Sequence, residues 1–178
     1  MSVFPAFREF IESGDHRLMN RVHRWSAPQW VRLWMICATR GGDGWLWYAL
    51  AVIVLTFGGE ERVLAVSASV LAAWTGIGVF LVAKRLTGSR RPCHIAPHCW
   101  SKLLPPDQFS FPSGHTITAF SIVTPLMVLY PDYSVQLGFC ALSIAASRII
   151  LGMHFLSDVV AGAAVGSILG YLALAILS

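Results

Sequence analysis

The sequence predicts an all-α fold: a polytopic membrane helical bundle of about five transmembrane helices, preceded by an N-terminal amphipathic helix lying in the membrane interface. Three observations carry this. Charged residues make up only 12% of the chain and hydrophobic residues 56%, with a mean hydropathy of +0.63, whereas a soluble domain carries about 25% charge. Uncharged runs recur along the chain, and a run of about 20 apolar residues suffices to cross the hydrocarbon. Backbone groups in lipid must be satisfied within their own segment, so each run is expected to be a helix.

Taken in order, residues 1–42 are expected to form a basic, helical N-terminal region at the membrane interface and residues 43–178 the transmembrane bundle. Within the first, Ser26 and Pro28 read as a helix start. Trp30, Leu33, Trp34 and Cys37 then follow an i, i+3, i+4, i+7 stripe flanked by Arg32 and Arg40. That pattern suits a helix at headgroup depth; a sixth span is the rival, but its charges make a full crossing costly. The clearest spans are Val63–Ala83 and Val159–Ser178. Gly44–Gly59, Thr116–Pro131 and Tyr133–Ser147 are shorter uncharged runs, each by itself compatible with a buried core helix. The first 40 residues carry charges throughout, so no cleavable signal peptide is expected.

The net charge is +4. Its basic residues fall into an N-terminal block (Arg8, Arg17, Arg21, Arg24, Arg32, Arg40) and a second block, Lys84, Arg85, Arg90 and Arg91. Blocks set beside apolar runs read as contacts to lipid headgroups or to a phosphate rather than to nucleic acid. Of the cysteines, Cys37 and Cys140 lie in apolar stretches and read as buried thiols. Cys93 and Cys99 bracket a loop with His94 and His98. Free thiols or a short-range disulfide are the readings there, because the spacing matches no usual zinc pattern.

Five crossings place three distant polar segments on one membrane face. The first holds Lys84 and Arg91, seven residues apart. They would share a face if the helix continued through Gly88, and would serve either as snorkelling cations or as ligands of phosphate oxygens. The second is Pro112-Ser113-Gly114-His115. Ser113 is a natural N-cap, Gly114 allows close backbone approach, and a helix start with free N–H groups binds anions. The bland alternative is a capped helix with an interfacial histidine. The third runs from Arg148 to Asp158, where His154 and Asp158 sit i, i+4 on one helical face if that stretch is helical. Asp158 would then fix the imidazole tautomer and leave the other nitrogen to attack. A structural ion pair is the alternative, although ionisable groups beside spans raise a functional reading by default. Cations, a helix-start nest and two histidines, one with a carboxylate partner, form a coherent set for phosphoryl transfer.

Lys84 and Arg91-Pro92, then Pro112-Ser113-Gly114-His115, then Ser147-Arg148, His154 and Asp158, together resemble the three-part signature of the type-2 phosphatidic acid phosphatase family. That family shares its site with vanadium-dependent haloperoxidases, which are expected to be larger and soluble. The resemblance covers Lys84 to Asp158 and implies a phosphatase with a helical core and no metal or other cofactor. It makes His154 the nucleophile that forms a phosphohistidine, Asp158 its orienting partner and His115 the general acid. Lys84, Arg91, Arg148, Ser113 and Gly114 would hold the phosphate.

A site at a membrane face implies a lipid phosphate as substrate and membrane lipids as surroundings. Bacterial relatives act on undecaprenyl diphosphate, phosphatidylglycerol phosphate, phosphatidic acid or the phosphates of lipid A. Water or a second lipid would accept the phosphate, and a non-catalytic lipid-binding module is the competing class. The short loop from Cys93 to Gln108 hints at an open, lipid-accessible site. The resemblance places the chain in the bacterial cytoplasmic (inner) membrane, its site facing the periplasm or exterior. The basic N-terminal region pulls the other way under the positive-inside rule.

Overall fold

The computed structural model describes residues 3–87, 91 and 109–178. Cys93, Cys99, Gly88 and the loop to Gln108 lie outside the described residues, and with them the expectations of a disulfide and of a short, open loop. Seven helices occur among the described residues: α1 (Val3–Arg24), α2 (Gln29–Gly42), α3 (Trp45–Phe57), α4 (Arg62–Thr87), α5 (Gly114–Leu129), α6 (Ser134–Ile150) and α7 (Leu156–Leu177). Single 3-10 turns precede α4 and α6, and no strand occurs among the described residues.

Three stretches are long and apolar enough to cross a membrane: Gly59–Thr87, Pro131–Ile150 and Leu156–Leu177. The shorter apolar helices α3 and α5 coincide with the sequence runs that were ambiguous by length. Large apolar side chains stand exposed along the helices, among them Trp45, Tyr48 and Val52 of α3 and Trp74 and Leu81 of α4. An apolar surface of this extent marks a face turned to lipid or to a partner, and the span-length helices favour lipid.

At the centre, α4, α5 and α7 pack on one another. Their closeness comes from small residues. Gly162, Gly166 and Gly170 form a stripe at i, i+4, i+8 on α7, and a Cβ on Gly166 would come within 2.5 Å of the Ile117 carbonyl oxygen. Ala65, Ala68 and Ala72 bury the facing side of α4. Helices in lipid associate through such close packing and interhelical hydrogen bonds rather than through hydrophobic exclusion. The Ser69 hydroxyl illustrates the latter: it lies 2.8 Å from the Ala65 carbonyl of its own helix and 3.1 Å from the Ile122 carbonyl of α5. Around this centre, α6 packs on α5, α2 on α6, and α3 on α4.

Three local expectations are corrected. The helical N-terminal region is two helices, and only the second was placed from sequence; Ser13, Gly14 and Asp15 interrupt the first, Val3–Arg24, with weak helix formers. Tertiary contact holds it: Asp15 accepts hydrogen bonds from the Ser157 backbone N–H (3.1 Å) and the Ser157 hydroxyl, and Met19 is buried. Next, α2 begins at Gln29 with Pro28 as its N-cap and no side-chain cap, so Ser26 does not start it. Its buried face is Val31, Met35 and Thr39, while the stripe Trp30, Leu33, Trp34 and Cys37 points outward. Finally, α4 ends at Thr87 and Arg91 is not helical, so Lys84 and Arg91 do not share one helix face.

Candidate active site

The α6–α7 junction builds the first half of the site. Past the end of α6 the backbone folds back, and the N–H groups of Met153 and His154 both donate to the Arg148 carbonyl at 3.0 Å. Gly152, at φ +71, takes the left-handed conformation that this reversal requires. The result sets His154 beside Arg148, both buried.

Asp158 lies in the first turn of α7, where its Oδ2 accepts the Phe155 N–H at 2.8 Å. The same oxygen stands 3.5 Å from His154 Nδ1 and accepts the hydroxyl of Ser110. One carboxylate therefore caps a helix and faces the histidine. On the opposite edge of the ring, Arg91 lies 2.9 Å from His154 Nε2 and donates to the Met153 carbonyl at 3.1 Å. A guanidinium has only donors, so Nε2 is the accepting, unprotonated nitrogen and Nδ1 carries the hydrogen toward Asp158. Burial holds the His154 pKa down, to about 4; the bond to Asp158 opposes this, and Arg148 and Arg91 add to the lowering. His154 is thus neutral near pH 7 with its Nε2 lone pair directed away from Asp158.

The second half comes from α5. Ser113 occupies the N-cap position but makes no capping bond with its side chain; it accepts the Thr116 hydroxyl at 2.9 Å instead. Its backbone N–H donates to the Asp158 carbonyl at 3.2 Å, which ties the start of α5 to the start of α7. Ser113 is fully buried and its expected capping role is not met, because two neighbours claim its polar atoms. At Gly114 a Cβ would lie 3.2 Å from the Phe80 ring, so the missing side chain admits that ring. His115, one residue on, meets the α2–α3 corner: its Nε2 lies 2.7 Å from Oδ1 of Asp43.

Arg91, His115, Arg148 and His154 all line the polar end of one cavity of about 600 Å³. Asp43 joins them at that end, and the rest of its wall is mostly apolar, drawn from α3 (Trp47 to Val54), α4 (Val66 to Leu81) and one face of α5, with Ser69 and Thr118 as its polar exceptions. Lys84 is half-buried near the end of α4, with its ammonium 5.0 Å from the centre of the Phe80 ring, a residue of the cavity wall. Neither Ser113 nor Asp158 lines the cavity; each supports residues that do.

Three residues of this neighbourhood were not singled out from sequence. Ser110 lies two residues before the Pro112–His115 motif and is legible only as its polar neighbour. Thr39 accepts from the Arg148 guanidinium at 2.5 Å, and nothing in its apolar helix flags it. Asp43 did carry a signal, a carboxylate set between an apolar helix and a span, which is a costly place for charge.

The fold is a helical bundle with an apolar exterior, and at one end of its cavity two histidines and two arginines come together. The family model described as the PAP2 superfamily matches residues 62–178, and the chain belongs to that superfamily. Lipid A 1-phosphatase of Rhizobium johnstonii is 27% identical over 145 residues, which are 71% of this chain and 59% of that protein. Undecaprenyl-diphosphatase of Sulfolobus acidocaldarius is 24% identical over 145 residues, 80% of this chain and 68% of that one. Among solved structures, the crystal structure of Aquifex aeolicus LpxE superposes with a TM-score of 0.73 at 25% identity, covering 89% of this chain and 93% of that one.

Proposed function

We propose that this protein is a membrane lipid phosphatase or diphosphatase in which His154 forms a phosphohistidine without help from a metal. The observation that carries the reading is the setting of His154: a buried, neutral imidazole with its Nε2 lone pair at the polar end of a cavity whose remaining wall is mostly apolar.

In the first step His154 Nε2 attacks phosphorus, an N–P bond forms, and the P–O bond to the lipid breaks. His115 gives a proton to the departing oxygen. The Nδ1 hydrogen stays on His154, held by Asp158, and the positive charge that develops on the ring is balanced by that carboxylate. Arg91 turns from Nε2 to the phosphate oxygens, and Arg148, Lys84 and the Ser113–Gly114 segment complete the anion site. In the second step water attacks phosphorus, returns a proton to His115, and frees both inorganic phosphate and His154.

The apolar part of the cavity supports a lipid as the bearer of that phosphate. His115, Thr118, Ile122 and Leu126 of α5 all line it, a distance of about 16 Å along the axis at about 1.5 Å per residue. That is about half the hydrocarbon thickness of a bilayer, enough to seat the first part of one acyl or prenyl chain while the phosphate stays at headgroup depth. The names of the relatives agree with phosphates on lipid A or a polyprenyl carrier. Five crossings, with the site on the outer face of a bacterial inner membrane, complete the reading.

The test is phosphate release from a panel of lipid phosphates by the purified protein in detergent containing EDTA. Wild type is expected to turn over at least one of them, and His154→Ala to lose nearly all turnover. Loss of wild-type activity to EDTA, or full activity in His154→Ala, would overturn the mechanism.

A further inference from the structure

His115 touches a residue from outside the region that matches the family. Its Nε2 lies 2.7 Å from Asp43 Oδ1, while the family match begins at residue 62. The corner that carries Asp43 is shaped around the imidazole. Asp43 closes α2, its backbone N–H donating to the Arg40 carbonyl at 3.1 Å. Gly44, at φ +135, then turns the chain into α3, a conformation open in practice to glycine. At Gly42 a Cβ would come within 3.2 Å of both His115 Cδ2 and Ile144 Cγ2, so the missing side chain lets the corner close on the ring.

The charges facing His115 come from three places: Asp43 from the corner, Arg148 from α6, and Arg91 from the segment before α5. Arg40 stands 3.7 Å from the second oxygen of Asp43. The guanidiniums that suit a phosphate also disfavour an imidazolium beside them, so an acid placed here needs a compensating anion. We propose that Asp43 is a positioning residue for His115: it accepts the Nε2 hydrogen, fixes the ring, and keeps the imidazolium available so that Nδ1 delivers its proton to the leaving oxygen. The proton passes from Nδ1 to the oxygen as the P–O bond breaks, and is replaced by one from the attacking water. The arrangement mirrors the other histidine, where Asp158 faces Nδ1 and Nε2 is the reacting nitrogen. It rests on the reading of His115 as the general acid.

An alkoxide needs that proton to leave, whereas 4-nitrophenolate does not, and this difference separates positioning of an acid from general support of the fold. In purified full-length protein, Asp43→Asn is expected to lower kcat/KM about ten- to a hundredfold on dioctanoyl phosphatidic acid. On 4-nitrophenyl phosphate the loss should be several times smaller, and Asp43→Glu should restore part of the rate on the lipid. Equal losses on both esters, or no loss on either, would overturn the proposal. His115→Asn is run beside it. If that variant discriminates between the esters and Asp43→Asn does not, only the role of Asp43 fails; if neither discriminates, the acid assignment itself fails.

Discussion

Ser110 is the smallest unit on which the site depends without a role of its own in bond making. Its buried hydroxyl donates to the carboxylate oxygen that faces His154. Ser110→Ala leaves Asp158 the Phe155 N–H and the histidine but removes one donor. A lost hydrogen bond to a charged group costs about 1.5–3 kcal/mol, so turnover or stability should fall without collapsing. If all of it falls on the transition state, the loss in kcat is about ten- to a hundredfold, measured on whichever lipid phosphate is turned over best. The protonation state of His154 is testable at the same scale. Burial lowers its pKa to about 4, so protonation, which would block Nε2, sets in only as pH falls toward that value. In detergent-solubilised protein the imidazole signal that disappears in His154→Ala should not titrate between about pH 5.5 and 8. A midpoint near the ordinary histidine value would contradict the buried, neutral assignment.

Among the elements, α7 is the one on which the bundle turns, because its glycine stripe sets how near α5 can lie. Gly166→Ala puts a Cβ 2.5 Å from the Ile117 carbonyl and 2.9 Å from Phe120 Cβ, atoms that cannot swing aside. Overpacking of this kind typically costs about 1–3 kcal/mol. A clear drop in the thermal unfolding midpoint in detergent is expected, whereas Gly78→Ala, with open space around it, should leave the midpoint unchanged. The elements also show what sequence conveys. Apolar runs announced α3 to α7 because lipid imposes composition directly; His154 and Asp158 do meet, but not on one helix face as their spacing suggested, because His154 lies in the turn before α7 and only Asp158 is helical. Helix α1 was not legible, since it is fixed by Asp15 meeting Ser157 far along the chain rather than by its own pattern. The stripe of α2 showed only one of its faces: its tryptophans stand exposed, as a headgroup-facing side would, while the buried face, Val31, Met35 and Thr39, is spaced i, i+4, i+8 among residues of mixed character and went unread. Asp43 and Thr39 gain their meaning only from α2 lying beside α5 and α6, which no local signal encodes.

At the scale of the whole molecule, the proposed five passages through the bilayer would bring the ends of α4 and α6 and the starts of α3, α5 and α7 to one side. The turns Gly59–Glu61 and Pro131–Tyr133 then fall on the other. In a background with the native cysteines replaced, Asp132→Cys should resist a membrane-impermeant thiol reagent in intact cells and react after the membrane is broken. Ready labelling in intact cells would put the catalytic face in the cytoplasm and agree with the positive N-terminal region. The central claim is the covalent role of His154, and the most direct measurement is rapid acid-free quenching of the protein with radiolabelled dioctanoyl phosphatidic acid, followed by peptide mapping. The account predicts a base-stable, acid-labile phosphate on the peptide containing His154, present in wild type and absent in His154→Ala. Label on another residue, or full turnover with no labelled protein at any time, would contradict it.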